Sequence, residues 1–599
     1  MSTTQNPALD PQYCWDLSPL FTGLDDPKYL GTKEEAKAFL NAFSTRFDTL
    51  HGADLLQEAL PALEKAKQLL SPLLYYLELA RSADMRQNAY TGELAQLQNL
   101  AIEMQQVQQQ ACHALADLDL DELLQQKPDL AVYAYTLHRW QEKAHYSFSL
   151  AEERLYSVMD QHAGQAWGDL FSHLTANLTV DWPDAESKTL TLSEVRNLAS
   201  SPDADLRKKA YEAELAAYPK IQDSLAFALN HIKSQVSWAS RERGFASPLD
   251  QALWLAAMQR ETLEAMLSAI EAKLPIFRHY LQLRAKVLGY GAKLPFFALF
   301  APLFTDAQRF EVEEAKAYLL DAFSSLDAGM ASMFQQAFEE RWIDFFPRQG
   351  KVGGAFCAEV NSLQQSRILS NFDGSFSSVS TLAHELGHAW HNQCSFDHLL
   401  LNQGYGMPVA ETASTFNETH LASYALSHSQ SARQQLSILD EDLSNLTQTC
   451  VDILSRFYFE DAVFAQCEER FLSAEDLCQL MLEAQDKSYG DALDAEYRHP
   501  YMWACKGHYY SSGLSYYNFP YAFGALLALG LYALYLSEGS AWLPNYHRFL
   551  NLTNVASVED AARAVGIDLT QPRFWEQSLD LVAKRIEQFE ELLKKEQLI

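Results

Sequence analysis

Positive charge is scarce in this chain: 46 Lys and Arg stand against 78 Asp and Glu, a formal net charge of -32 over 599 residues. Phosphate binding needs a basic stripe and counterion release, so nucleic acid is excluded as a partner, and anionic membrane surfaces are disfavoured for the same reason. Cysteine is sparse as well. The eight cysteines (14, 112, 357, 394, 450, 467, 478 and 505) form no C-x-x-C pair, and so few in so long a chain do not make a disulfide framework. The N-terminal stretch lacks both a basic start and an apolar core: no Lys or Arg precedes Lys28, and Pro7 and Pro11 interrupt it. A signal peptide is therefore not expected, and reduced thiols in the cytoplasm are. Repeats of fixed period and low-complexity tracts are missing too, which argues against a solenoid. Long apolar runs are few. Tyr521 to Leu536 is nearly uncharged, but at 16 residues it is short for a span of about 20 and reads as a buried core helix.

What the chain does have is material for a large core, with 48% apolar and 21% charged residues. Helical periodicity covers most of it: Leu55 to Asp84, Thr91 to Leu118 and Tyr133 to Ala163 are long, rich in Leu and Ala and nearly free of breakers. Asn177 to Leu192 reads as a short hairpin around a Pro-Asp turn, and Ser201-Pro202-Asp203 as a new helix start with Ser201 as its cap. The fold class expected is mainly α, with an N-terminal helical lobe over 1–190 and a second part over 191–599. Extended runs occur at Gly353 to Cys357 and Arg367 to Phe372, so a small sheet is expected immediately before the next helix.

That helix carries the chemistry. It reads Val379 to His388, capped by Ser377 or Ser378, and contains His384-Glu385-Leu386-Gly387-His388. Residues i and i+4 lie about 40° apart around a helix and about 6 Å apart along it, so both imidazoles can reach one tetrahedral zinc. Glu385, turned by roughly 100° from His384, cannot chelate beside it but can reach a water on the metal. The pattern alone is suggestive, since surface histidines on a helix produce it by accident; a third ligand separates the readings. A histidine six residues after His388 would supply one, but that position is Cys394. A carboxylate from a second helix is the alternative. Pro408 can open one, after a connection with Gly404 and Gly406, and it places Glu411 and Glu418 on one face. Glu411 is taken as the third ligand and Glu418 as the carboxylate that orients an imidazole. His391 and His420 read as supporting or packing histidines. Zinc, one per chain, fits the ligand types, although cobalt or manganese could replace it.

TLAHELGHAWH with VAETASTFNE resembles the oligoendopeptidase F group of the thimet oligopeptidase family of zinc metallopeptidases. GKVGGAFC and ILSNFDGSFSSVSTLAHELGH upstream, HYYSSGLSYYNFPYAFG downstream and RERGFASPLDQAL at 241 to 253 are similar to further segments of that group. The resemblance covers roughly residues 130 to 590. It implies a large two-lobed helical body around a deep substrate channel that admits oligopeptides and excludes folded proteins. It also implies hydrolysis of internal bonds in short peptides, with Glu385 passing the proton of the water to the leaving amine.

Donors to the oxyanion are sought among His508, Tyr510, Tyr516 and Tyr517. The chain departs from the thimet branch here, because Tyr516-Tyr517-Asn518-Phe519 ends without a hydroxyl. A second departure, Phe297 to Pro302 lacking an Asp, leaves the metal site untouched. Gly353 and Gly354 let a peptide backbone approach an edge strand. Two other readings stay open: a dipeptide-releasing exopeptidase on the same scaffold, and an inactive peptide-binding protein.

Overall fold

The computed structural model describes residues 10–183, 189–304, 309–429 and 431–599. Helix makes up 72% of it and strand 4%, so the chain is mainly α, as its periodicity predicts. It forms two compact units, each assembled from three separate stretches: Met1–Ser147, Gln308–Tyr424 and Leu534–Gly566 in one, Phe148–Ala307, Ala425–Ala533 and Ile567–Ile599 in the other.

In the first unit, helices α1 (Gly52–Ala83) and α2 (Asn88–Leu115) pack side by side. Leu56, Leu60, Leu63, Leu70, Leu73 and Leu77 of α1 recur at three, four and seven residues, and all are buried. They build a core with Tyr29, Phe43, Leu97 and Val107. A three-stranded sheet lies against it, made of β1 (Ile343–Asp344), β2 (Phe356–Val360) and β3 (Gln365–Leu369) in the order β1-β3-β2. β3 runs parallel to β1 and antiparallel to β2, with Phe356 opposite Leu369 and Val360 opposite Gln365. Successive side chains on a strand face opposite ways. Phe356, Ala358 and Val360 accordingly join the core of α1 and α2, which turns Cys357 and Glu359 to the other face.

On that face the chain continues into α3 (Phe376–Ser395), α4 (Met407–Ala410) and α5 (Thr412–His428). α3 starts at Phe376, three residues before the Val379 that its sequence suggests. Its cap is Ser375, whose Oγ accepts from the backbone N–H of Ser378 at 3.1 Å, while Ser378 Oγ is held by Asp373. Gly387 is where α3 meets α5: a Cβ there would lie 2.6 Å from both Ala413 O and Ser414 Cα. The side-chain amide of Asn417 on α5 adds a bond to Ala383 O on α3, at 3.1 Å.

The second unit holds the hairpin strands Thr179–Asp181 and Thr189–Thr191, paired antiparallel; residues 184–188 of its turn lie outside the described residues. The periodic run from Tyr133 to Ala163 is two helices, Ala134–His145 in the first unit and Leu150–His162 in the second, because Ser149 caps a fresh start with Glu152 in a reciprocal capping box. The helix after Ser201 starts at Ala204, capped by Asp203, whose carboxylate takes the N–H groups of Asp205 and Leu206. Phe519–Glu538 is one helix, and nearly all of Phe519 to Tyr532 is buried inside the protein.

Candidate functional site

The histidine pair sits half-buried on α3, one turn apart, and Glu385, which follows His384, is buried at 6% exposure. The connection to α5 does not form one helix from Pro408 onward. α4 stops at Ala410, Glu411 occupies the break with φ -85° and ψ 3°, and α5 resumes at Thr412. The break aims the Glu411 carboxylate back at α3. Ser414 steadies it by donating from Oγ to Glu411 Oε2 at 3.1 Å and to the Glu411 carbonyl at 3.0 Å.

His384 Nε2 and His388 Nε2 are 3.2 Å apart. Glu411 Oε2 lies 3.2 Å from the first and 3.6 Å from the second. Donors about 2.0–2.1 Å from one tetrahedral ion are separated by about 3.3 Å, so these three atoms have the spacing of zinc ligands. On the other side of His384, Nδ1 faces Glu418 Oε1 at 3.4 Å. A carboxylate there keeps the proton on Nδ1 and leaves the Nε2 lone pair free for a metal. His388 donates a ring N–H to the backbone carbonyl of Ala410, the last residue of α4.

The electrostatics favour positive charge at this point. Burial opposes charge on His384, yet Glu411 and Glu418 outweigh it and carry its pKa up to about 10. Burial and the charge of His384 press His388 down to about 4. Glu411, which burial alone would raise, is held at about 2 by the two histidines and Ser414. Glu385 behaves differently: burial, offset in part by His384 and reinforced by Glu411 and Glu418, lifts it to about 7. A carboxyl near neutrality can both take and return a proton at physiological pH.

His384, Glu385, His388 and Glu411 line a cavity of about 420 Å³, together with Ala355, Phe356, Cys357, Glu359, Asn392 and Tyr405. The last four contribute polar groups the sequence did not single out. Tyr405 stacks on His391 with ring centroids 3.8 Å apart and planes 4° from parallel, and its hydroxyl donates to Asn392 Oδ1 at 3.3 Å. Asn392 in turn donates to Ser366 Oγ at 3.1 Å. The one visible signal for them is alternation: Cys357 and Glu359 sit two apart on a strand, and Gly404 and Gly406 flank Tyr405. His391 is a support rather than a ligand, buried, bonded to Thr553 Oγ1 at 3.0 Å, and pushed by burial to about 3. His420 bonds the carbonyl of Ala322 at 2.9 Å. Beside Gly353 and Gly354 there is open space, and Asn371 fixes the turn by donating to the carbonyls of Val352 and Gly354.

The remaining candidates lie in the second unit, on the segment before Phe519–Glu538. There His508 and Tyr517 stack with centroids 5.8 Å apart, and Tyr517 shares a hydroxyl–hydroxyl bond with Tyr521. Burial and the cations Arg456, Lys233 and Lys506 hold His508 at about 3, so its imidazole is neutral and offers one N–H. Tyr510 is buried in packing, its ring 4.1 Å from that of Phe171. Tyr516 is buried too and donates to Asp461 Oδ1 at 3.0 Å. Its backbone is left-handed, at φ 53°, a conformation costly for a residue with a Cβ.

A model described as Peptidase family M3 matches residues 311–581. Oligopeptidase PepF of Bacillus subtilis (strain 168) is 26% identical over 554 residues, covering 91% of this chain and 82% of its own length. Group B oligopeptidase PepB of Streptococcus agalactiae serotype III (strain NEM316) is 26% identical over 489 residues, 80% of each. Among solved structures, one from Chlamydophila abortus superposes with a TM-score of 0.84, covering 98% of this chain and 99% of that one at 21% identity. Oligoendopeptidase-F from Enterococcus faecium superposes at 0.68, covering 95% and 98%, also at 21% identity.

Proposed function

Since this chain carries a peptidase family M3 domain and belongs with the oligoendopeptidase F relatives, we propose that it is a zinc metalloendopeptidase that hydrolyses internal bonds of short oligopeptides. His384, His388 and Glu411 would hold one zinc per chain. When bound, the ion supplies Lewis acidity, polarising the scissile carbonyl and acidifying water. Glu385 removes a proton from the attacking water and delivers it to the departing amine, which its near-neutral carboxyl suits. Glu418 fixes the ring of His384, and Ser414 fixes the carboxylate of Glu411. The peptide backbone pairs along the free edge of β2, where the turn at Gly353 and Gly354 leaves room for it.

His508 and Tyr517 are the proposed donors to the oxyanion, being respectively neutral and partly exposed. Tyr510 and Tyr516 are withdrawn from that role by their packing and by Asp461. The eight cysteines are free thiols, which supports a reducing, cytoplasmic setting.

The observation that carries this reading is the triangle of 3.2, 3.2 and 3.6 Å among three donor atoms from two separate elements. Metal analysis of the purified protein, followed by digestion of peptides blocked at both ends, tests it. About one zinc per chain and cleavage at internal bonds are expected. Release of dipeptides from free-ended peptides alone would instead favour an exopeptidase, and zinc without turnover a binding protein.

A further inference from the structure

Three carboxylates face the cavity: Glu359, Glu385 and Glu411. In the reading above, Glu411 goes to the metal and Glu385 to its water, and their two charges balance a divalent ion. Glu359 is left over. Among the described residues its side chain makes no hydrogen bond and no ion pair within 4.0 Å, and the cavity lining contains no Lys or Arg. The nearest influence of opposite sign is Lys67, whose ammonium is committed to the carbonyl of Leu400 at 2.5 Å. Burial pushes the Glu359 carboxyl above its ordinary value, so it is a partly desolvated acid with nothing of opposite charge in contact. Such a group is costly to keep unless a ligand completes it.

Its placement indicates what that ligand is. Glu359 lies on β2, the edge strand, on the same face as Cys357 and two residues further along, about 7 Å away. Cys357 is close enough to Glu385 for the carboxylate to raise its pKa. A peptide extended along this edge therefore presents side chains to Glu359 within a few residues of the bond attacked beside Glu385.

We propose that Glu359 is a specificity-determining residue, forming a subsite that selects a Lys or Arg side chain of the peptide close to the cleaved bond. The assignment rests on the hydrolase reading and extends it to substrate class. It is tested with N-acetylated, C-amidated peptides in which lysine replaces norleucine at each of three positions on either side of the cleaved bond. Competition digests read by mass spectrometry give ratios of kcat/KM. One position should favour lysine over norleucine by about tenfold, the equivalent of one ion pair in a partly buried site. Glu359→Gln should bring that ratio to within about twofold, and Glu359→Asp should keep part of it.

A flat lysine scan in the parent protein, or a preference that survives Glu359→Gln, would overturn the assignment. Affinities of the same peptides for zinc-loaded Glu385→Gln protein, measured by fluorescence anisotropy, read the subsite without turnover. A lysine preference in binding that vanishes with Glu359→Gln, in a chain whose parent cleaves no peptide, would sink the hydrolase reading and leave the subsite standing. Equal affinities for the lysine and norleucine peptides would sink the subsite.

Discussion

At the level of single side chains, Glu385 and Glu418 separate proton transfer from metal holding. Glu385→Gln keeps the shape and loses the base, so kcat should fall by about 10²–10⁴ while zinc content stays near one per chain. Glu418→Gln weakens the support behind His384 and should cost about 10–100-fold in zinc affinity, with activity largely restored by excess zinc. Titration against a chelator, alongside steady-state rates, distinguishes the two. The liganding side chains could be read in the sequence because helical geometry turns a spacing of four into a shared face. Glu411 followed from the need for a third donor, which a second element had to supply. Tyr405, Asn392 and Glu359 could not be found this way. Their place in the cavity depends on which face of β2 meets the core and on the ring of Tyr405 lying flat on His391, and no local pattern encodes either.

Among helices and strands, the close passage of α3 over α5 at Gly387 is the contact on which the site's spacing depends. Gly387→Ala puts a methyl group 2.6 Å from the Ala413 carbonyl oxygen and from Ser414 Cα, backbone atoms that cannot step aside cheaply. Forcing an atom into such a contact costs about 1–3 kcal/mol. It should also move Glu411 away from the histidines, so a lower melting temperature and weaker zinc binding are expected together. A drop in melting temperature with unchanged zinc affinity would show that the helices yield elsewhere.

Element type was legible from periodicity, element ends less so. The helix caps shifted from Ser377 or Ser378 to Ser375 and from Ser201 to Asp203. In both places several capping side chains stand close together, and short-range side-chain bonds decide among them, such as that from Ser378 to Asp373 and those that Asp203 accepts from Asp205 and Leu206. The interruption at Glu411 has no breaker residue of its own. It follows from the carboxylate and Ser414 being held toward α3.

Across the molecule, buried charge is handled by pairing. Glu214 in the second unit is 7% exposed and touches Arg196, His499 and the Tyr218 hydroxyl. Burial would raise its pKa, but His499 and Arg196 outweigh burial and depress it from 4.5 to about 2. A depressed carboxyl contributes stability that is complete above its ordinary value and disappears as pH falls through the folded value. Glu214→Gln should therefore destabilise by about 3–5 kcal/mol near neutrality. The gap to the parent should narrow between about pH 4.5 and 2, as followed by thermal melts across pH. The mainly helical character is legible in the 3.6-residue periodicity. The grouping of three separated stretches into each unit is not, because the chain leaves one unit for the other within Thr412–His428 and again within Phe519–Glu538, where nothing in the composition changes.

The two histidines and Glu411 belong to elements joined by a loop, so an ion gripped by all three would act as a clasp closing the 24 residues from His388 to Glu411. Anything that binds the folded chain alone raises its stability, by about 4 kcal/mol at a thousandfold excess over the dissociation constant. Melting temperature should thus serve as a gauge of metal load: stripping the protein with chelator lowers it, readding zinc restores it, and His384→Ala makes the reading insensitive to both.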